Sequence, residues 1–124
     1  MAQEESIRTI KEKLYTVDII LQLAEETSEL SAAAAKWVRI VEGRNPTPVS
    51  YTAAWMNLLE EIADVQNCID CILCTKDRAI VQAMAKSKLT RWADRLRTKE
   101  AEDEERNKSA VCTGRRRARN QNRS

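Results

Sequence analysis

Histidine is missing from this sequence altogether. That absence removes the imidazole ligands that helical di-iron bundles supply through Glu-x-x-His, and those that hydrolytic zinc sites usually recruit. Oxygen donors remain, and hard oxygen ligands suit Mg2+ or Mn2+. Phe is also absent, and Gly and Pro occur only twice each. So few turn residues, beside abundant Ala, Leu, Ile, Glu, Lys and Arg, predict an all-α protein. No apolar run approaches the length of a bilayer span, and the N-terminus has no signal-peptide pattern. The chain therefore reads as soluble and cytoplasmic, with no membrane partner. Its 124 residues suffice for one domain with its own core.

The net charge of +2 conceals an asymmetry. Residues 99–124 hold eight Lys/Arg against five Asp/Glu, whereas residues 1–98 hold 13 against 14. The expected organisation is a folded domain over 1–98 and a charged, disordered tail over 99–124, ending in the basic run Gly114-Arg115-Arg116-Arg117-Ala118-Arg119.

Apolar periodicity places four helices in the folded part. A short one covers about 4–14, with Ile7, Ile10 and Leu14 on one side. The second runs from about Thr16 to Glu42, with Ile19, Leu23, Leu30, Ala33 and Trp37 at helical spacing. Gly43 and the Pro-containing Asn45-Pro46-Thr47-Pro48 end it. The third spans about Thr52 to Thr75, capped by Thr52 or Ser50. The fourth is expected from an Asp77 cap to about Lys99, burying Val81, Ala85, Trp92 and Leu96.

Six carboxylates interrupt the apolar faces of the two central helices: Glu25, Glu26 and Glu29 on one, Glu60, Glu61 and Asp64 on the other. Glu26 shares its face with Ile19, Leu23, Leu30 and Ala33. Glu61 shares its own with Ala54, Leu58, Val65, Cys68 and Ile72. Core-facing acids need something to neutralise them. No Lys or Arg stands at i±3 or i±4 from any of the six. One such motif is adequately explained as a solvated charged face; two on core-facing stripes, both without local cations, point to a bound divalent cation. The i,i+3 spacing lets paired carboxylates share an ion, and Mg2+ held this way normally engages substrate phosphates as well.

Glu25-Glu26-x-x-Glu29 followed by Glu61-x-x-Asp64 resembles the signature of MazG-like nucleotide pyrophosphohydrolases, of the all-α NTP pyrophosphatase superfamily. The surrounding words match too: Leu21-Gln22-Leu23-Ala24-Glu25-Glu26, Asn45-Pro46-Thr47-Pro48-Val49, Asn57 to Val65, and Lys88 to Leu96. The likeness covers about residues 15–97; the Pro-containing loop makes the gap between the motifs long, at little entropic cost. The resemblance implies a four-helix MazG-like bundle completed by oligomerisation, as a homodimer or homotetramer. It implies Mg2+-dependent cleavage of a nucleoside triphosphate between the α- and β-phosphates, giving a monophosphate and pyrophosphate. By position it makes Glu26, Glu29, Glu61 and Asp64 the metal ligands, and gives Glu25 a supporting or water-activating role. It also supports a phosphate contact for Lys88.

Arg91 and Arg95 flank Lys88 and are further candidates for substrate phosphates, against the alternative of snorkelling side chains that cover the core. Asn67, one turn past Asp64, is a candidate for a sugar or base edge. Trp37 is a candidate for base stacking, with helix packing as the competing role. Cys68-x-x-Cys71-x-x-Cys74, with Cys112, resembles part of an iron–sulfur run. On a continuous helix these three sulfurs drift apart, so small buried thiols are the expected reading. The rival function is a noncatalytic helical interaction protein that contacts nucleic acid through its basic tail. That tail lacks aromatic interleaving and a recognition fold, so it offers only nonspecific phosphate attraction.

Overall fold

Apolar residues at helical spacing, with almost no helix breakers, yield an all-helical chain. A computed structural model describes residues 1–121, with side chains through residue 113. Its elements are α1 (Ala2–Lys13), α2 (Thr16–Glu42), α3 (Tyr51–Ile72) and α4 (Thr75–Gln121). The chain divides into two units, Met1–Thr75 and Lys76–Ser124. Among the described residues, no helix is long and apolar enough to cross a membrane.

In the first unit, α2 begins where the Tyr15 amide donates to Asp18 Oδ2 at 2.9 Å. It ends at Gly43, whose φ of 68° is the left-handed conformation that glycine adopts without a Cβ penalty. The Gly43 amide donates to the Arg39 carbonyl at 3.0 Å, closing the last turn. Ser50, rather than Thr52, caps α3: its Oγ accepts from the Ala53 amide at 3.1 Å. The reversal over residues 43–50 sends α3 back along α2, and the two form the main helix pair of the unit. Trp37 near the end of α2 meets Tyr51 and Trp55 at the start of α3, with ring centroids 6.0 and 5.6 Å apart. α1 packs on α3.

The inward faces are the ones the periodicity picks out. Ile19 and Ala33 on α2, and Ala54, Cys68 and Cys71 on α3, are buried. Leu23, Leu30, Leu58, Val65 and Ile72 are partly buried on the same stripes.

The second unit departs from expectation twice. The stripe Val81, Ala85, Trp92 and Leu96 is exposed, not buried, with Trp92 at 59% and Leu96 at 54%. Within its own unit, α4 has no second helix to cover that stripe, and a single helix cannot bury its own apolar face. Past Lys99, where disorder is expected, α4 continues to Gln121. The segment carries no proline, and exposed pairs knit successive turns: Lys99 Nζ to Asp103 Oδ2 at 3.3 Å, and Arg106 Nη1 to Asp103 Oδ1 at 3.4 Å. Each such pair adds only a few tenths of a kcal/mol, about 0.2–0.5. The side chains of the basic run from Gly114 to Arg119, and all of residues 122–124, lie outside the described residues.

Candidate functional site

Glu26 and Glu29 sit one turn apart on α2, and Glu61 faces them from α3. One carboxylate oxygen from each lies within 4.8 Å of the other two. Glu26 and Glu61 are partly buried, whereas Glu29 is exposed. The Gln22 amide donates to Glu26 Oε1 from one turn upstream, which orients that carboxylate. Glu61 is less well served. Its Oε2 has no solvent contact and no hydrogen-bond partner. A buried acceptor left unmade is costly, and such groups call for an explanation.

Electrostatics follow from this crowding. Burial raises the Glu61 carboxyl above the usual carboxylate range, and Glu29, Asp64, Glu26 and Glu60 push it in the same direction. The Cys68 thiol is raised as well, first by burial and then by Glu26, Cys71 and Asp64. It stays protonated at neutral pH, which makes it a poor nucleophile and a poor soft-metal ligand. Cys68, Cys71, Cys74 and Cys112 are all free; the first two are buried and the others exposed.

The remaining candidates are distributed around this set. Asp64 bears on the charge of Glu61 but stands outside the 4.8 Å group. Glu25 is exposed and also stands outside it. Asn67 lines a cavity of about 400 Å3 with Gln22, Asp18, Ile10, Leu14 and the buried Cys68 and Cys71. That cavity lies toward the start of α2, beyond Glu26. Trp37 is engaged by Tyr51 and Trp55, and its buried Nε1 has no acceptor. Lys88, Arg91 and Arg95 belong to the second unit, where they share an exposed face of α4 with Trp92 around a concavity of about 410 Å3.

Sequence reasoning overlooked three polar residues beside the carboxylates. Lys36, Arg39 and Asn57 line a recess of about 280 Å3 together with Glu29 and Glu61. Lys36 is seven residues from Glu29, two turns along the same face. Extending the helical wheel past Ala33 would have found it; a search limited to i±4 could not.

No family model matches the chain, and neither a curated protein nor a solved structure is significantly similar to it. The chemistry of the site therefore rests on its own geometry.

That geometry suits a hard divalent cation. All three donors are anionic oxygens, and oxygens sharing one Mg2+ lie at most about 4.2 Å apart, twice its bond length. The 4.8 Å limit leaves about half an ångström for side chains to close.

Proposed function

We propose that the protein is a Mg2+-dependent nucleoside triphosphate pyrophosphohydrolase of the MazG-like kind, cleaving between the α- and β-phosphates to release a monophosphate and pyrophosphate. The observation that carries this reading is the convergence of Glu26, Glu29 and Glu61 from two helices, with Glu61 Oε2 buried and unpartnered. A purely solvating acidic face would leave each carboxylate in water. The motif resemblance of Glu26-x-x-Glu29 and Glu61-x-x-Asp64 supplies the reaction class.

In this reading Glu26, Glu29 and Glu61 would hold the ion, with Asp64, whose charge bears on Glu61, as the fourth ligand that the resemblance implies. Mn2+ fits the same donors. A bound ion of this kind supplies Lewis-acid polarisation of phosphoryl oxygen and eases deprotonation of water. Glu25 is the carboxylate left to accept a proton from the attacking water. The cavity lined by Asn67 and Gln22 offers an apolar floor with a few polar groups, the character of a base or sugar site. Lys88, Arg91 and Arg95 share an exposed face of α4 within the second unit, and the motif resemblance alone makes them candidates for phosphate contact.

Oligomerisation belongs to the same proposal. Beyond the Trp92 stripe of α4, the first unit exposes Leu21 at 61%, Met56 at 58% and Val41 at 53%, with Ile20, Val38, Leu59 and Ile62 also uncovered. Faces of this kind are covered by partner helices in stable assemblies, and a homodimer or homotetramer would cover them.

Incubating the purified chain with a panel of canonical and modified nucleoside triphosphates and Mg2+, and measuring monophosphate and pyrophosphate, tests the activity. Stoichiometric release of both products supports it. Release of orthophosphate instead, or no turnover of any nucleotide, rules it out.

A further inference from the structure

The recess formed by Lys36, Arg39 and Asn57 is separate from the cavity at Asn67 and lies on the opposite side of the carboxylate set. Gln22 and Lys36, which line the two recesses, are 14 residues apart on α2, about 21 Å along its axis. The carboxylates lie between them. The Asn67 recess is mostly apolar, with two neutral amides, two thiols and Asp18 on its wall; the other sets Lys36 and Arg39 beside Glu29 and Glu61, so its positive charge would be in excess once a cation took up those acids. Side chains on a helix lean toward its N-terminus, so the long arms of Lys36 and Arg39 incline back toward Glu29 rather than away from it. Among the described residues neither forms an ion pair, although both share a recess with Glu29 and Glu61. Cations placed to neutralise those acids would be found bonded to them.

The ligand that matches this layout has oxygens to share with a cation at one end and uncompensated negative charge beyond it. We infer that Lys36 and Arg39, assisted by Asn57, bind the terminal phosphates of a cation-loaded polyphosphate, and so set its direction along α2. The terminal phosphates point toward the Trp37 end and the nucleoside toward Asn67. At about 280 Å3 the recess is slightly below the usual range for small-molecule sites. A phosphate chain fits in that space. Lys36 and Arg39 thereby become the residues that hold the departing pyrophosphate, and they should discriminate triphosphates from monophosphates. The assignment rests on the proposal that the carboxylate set handles a cation-loaded polyphosphate.

The probe is inorganic tripolyphosphate with Mg2+, titrated calorimetrically into the full chain and into Lys36→Gln, Arg39→Gln and Lys36→Arg. The parent should bind it. Each glutamine variant should bind it about ten- to a hundred-fold more weakly, the loss expected for a charge-assisted hydrogen bond, while Lys36→Arg retains most of the affinity. The shift in melting temperature caused by Mg2+ alone should be the same in all four proteins, which separates lost phosphate contact from lost folding or lost metal. Tripolyphosphate binding that is absent from the parent, or equal in parent and both glutamine variants, overturns the assignment. Binding that depends on Lys36 and Arg39, in a protein that turns over no nucleotide, upholds it and removes the hydrolase reading. Nucleotide turnover whose KM is unchanged in both glutamine variants does the reverse.

Discussion

Glu61 on α3 and Glu29 on α2 bring carboxylate oxygens within 4.8 Å of each other, and the Oε2 of Glu61 has neither water nor a donor to satisfy it. Two like charges brought together across a helix interface oppose the folding that brings them there, unless something positive intervenes. A proton, a cation or an amide at this pair should therefore change stability, and so should loss of the caps that hold the two helices in place.

The first prediction concerns pH. Burial, followed by the charges of Glu29, Asp64, Glu26 and Glu60, raises the Glu61 carboxyl above its ordinary value of 4.5 in the folded protein. Between the two values the folded state holds the proton that the unfolded state has released. Stability therefore falls as pH rises through that window. In chelator-treated protein, this group's contribution should be complete below about pH 4.5 and lost as pH climbs through the raised value. Glu61→Gln should flatten that part of the curve. Thermal midpoints of the two proteins across pH 4 to 8 measure it, and identical slopes would show that Glu61 does not titrate anomalously.

Mg2+ should raise the melting temperature of the parent, because an ion that binds only the folded state stabilises it by mass action. At 100 times the dissociation constant the gain is about 2.7 kcal/mol. Glu29→Gln should melt no earlier than the parent without Mg2+, since one repelling charge is gone. It should gain much less from the ion and should lose triphosphate cleavage. An apo protein destabilised by this change, with the Mg2+ response intact, would mean that Glu29 is a structural partner of some cation.

Asp64 provides a contrast. It stands outside the close set, so Asp64→Asn should leave the Mg2+-dependent melting shift nearer to the parent's than Glu61→Gln does. Turnover should nevertheless collapse in both variants, because on the proposed reading Asp64 is the fourth ligand to the ion. Melting shift and hydrolysis rate are measured on the same preparations. Equal loss of Mg2+ response in the two variants would put Asp64 in the resting site.

Gly43→Ala isolates the cost of the left-handed turn. A Cβ there would meet nothing within 4 Å, so only the backbone conformation is penalised, by roughly 1–2 kcal/mol. Ser50→Ala removes the cap bonded to the Ala53 amide, at about 1 kcal/mol. The two changes flank the reversal between α2 and α3, so both should lower the melting temperature while leaving KM for nucleotide near the parent value. Denaturant unfolding gives the energies directly.

Local chemistry made the scaffold of the site readable in advance. The limits of α2, the left-handed glycine at its end, and the inward faces carrying Ile19, Ala33, Ala54 and Cys68 all follow from helical period and terminal residues. Glu26 and Glu61 could be assigned to those faces for the same reason. Cys71 is buried as its residue type suggests, whereas Cys74, just past the end of α3, is exposed rather than buried.

The sequence by itself determined that the chain is helical, and which residues of α2 and α3 turn inward, because a 3.6-residue period is written in the order of side chains. Only the tertiary structure decided which carboxylates meet. Glu26, Glu29 and Glu61 come together while Asp64 stays outside, and that choice depends on the axial register of two helices joined by a reversing loop, which no local spacing encodes. The same holds for the recess that brings Asn57 of α3 to Lys36 and Arg39 of α2, whose sides are remote in sequence. It holds again for α4, where an amphipathic pattern identifies an apolar stripe but cannot supply the surface that would cover it.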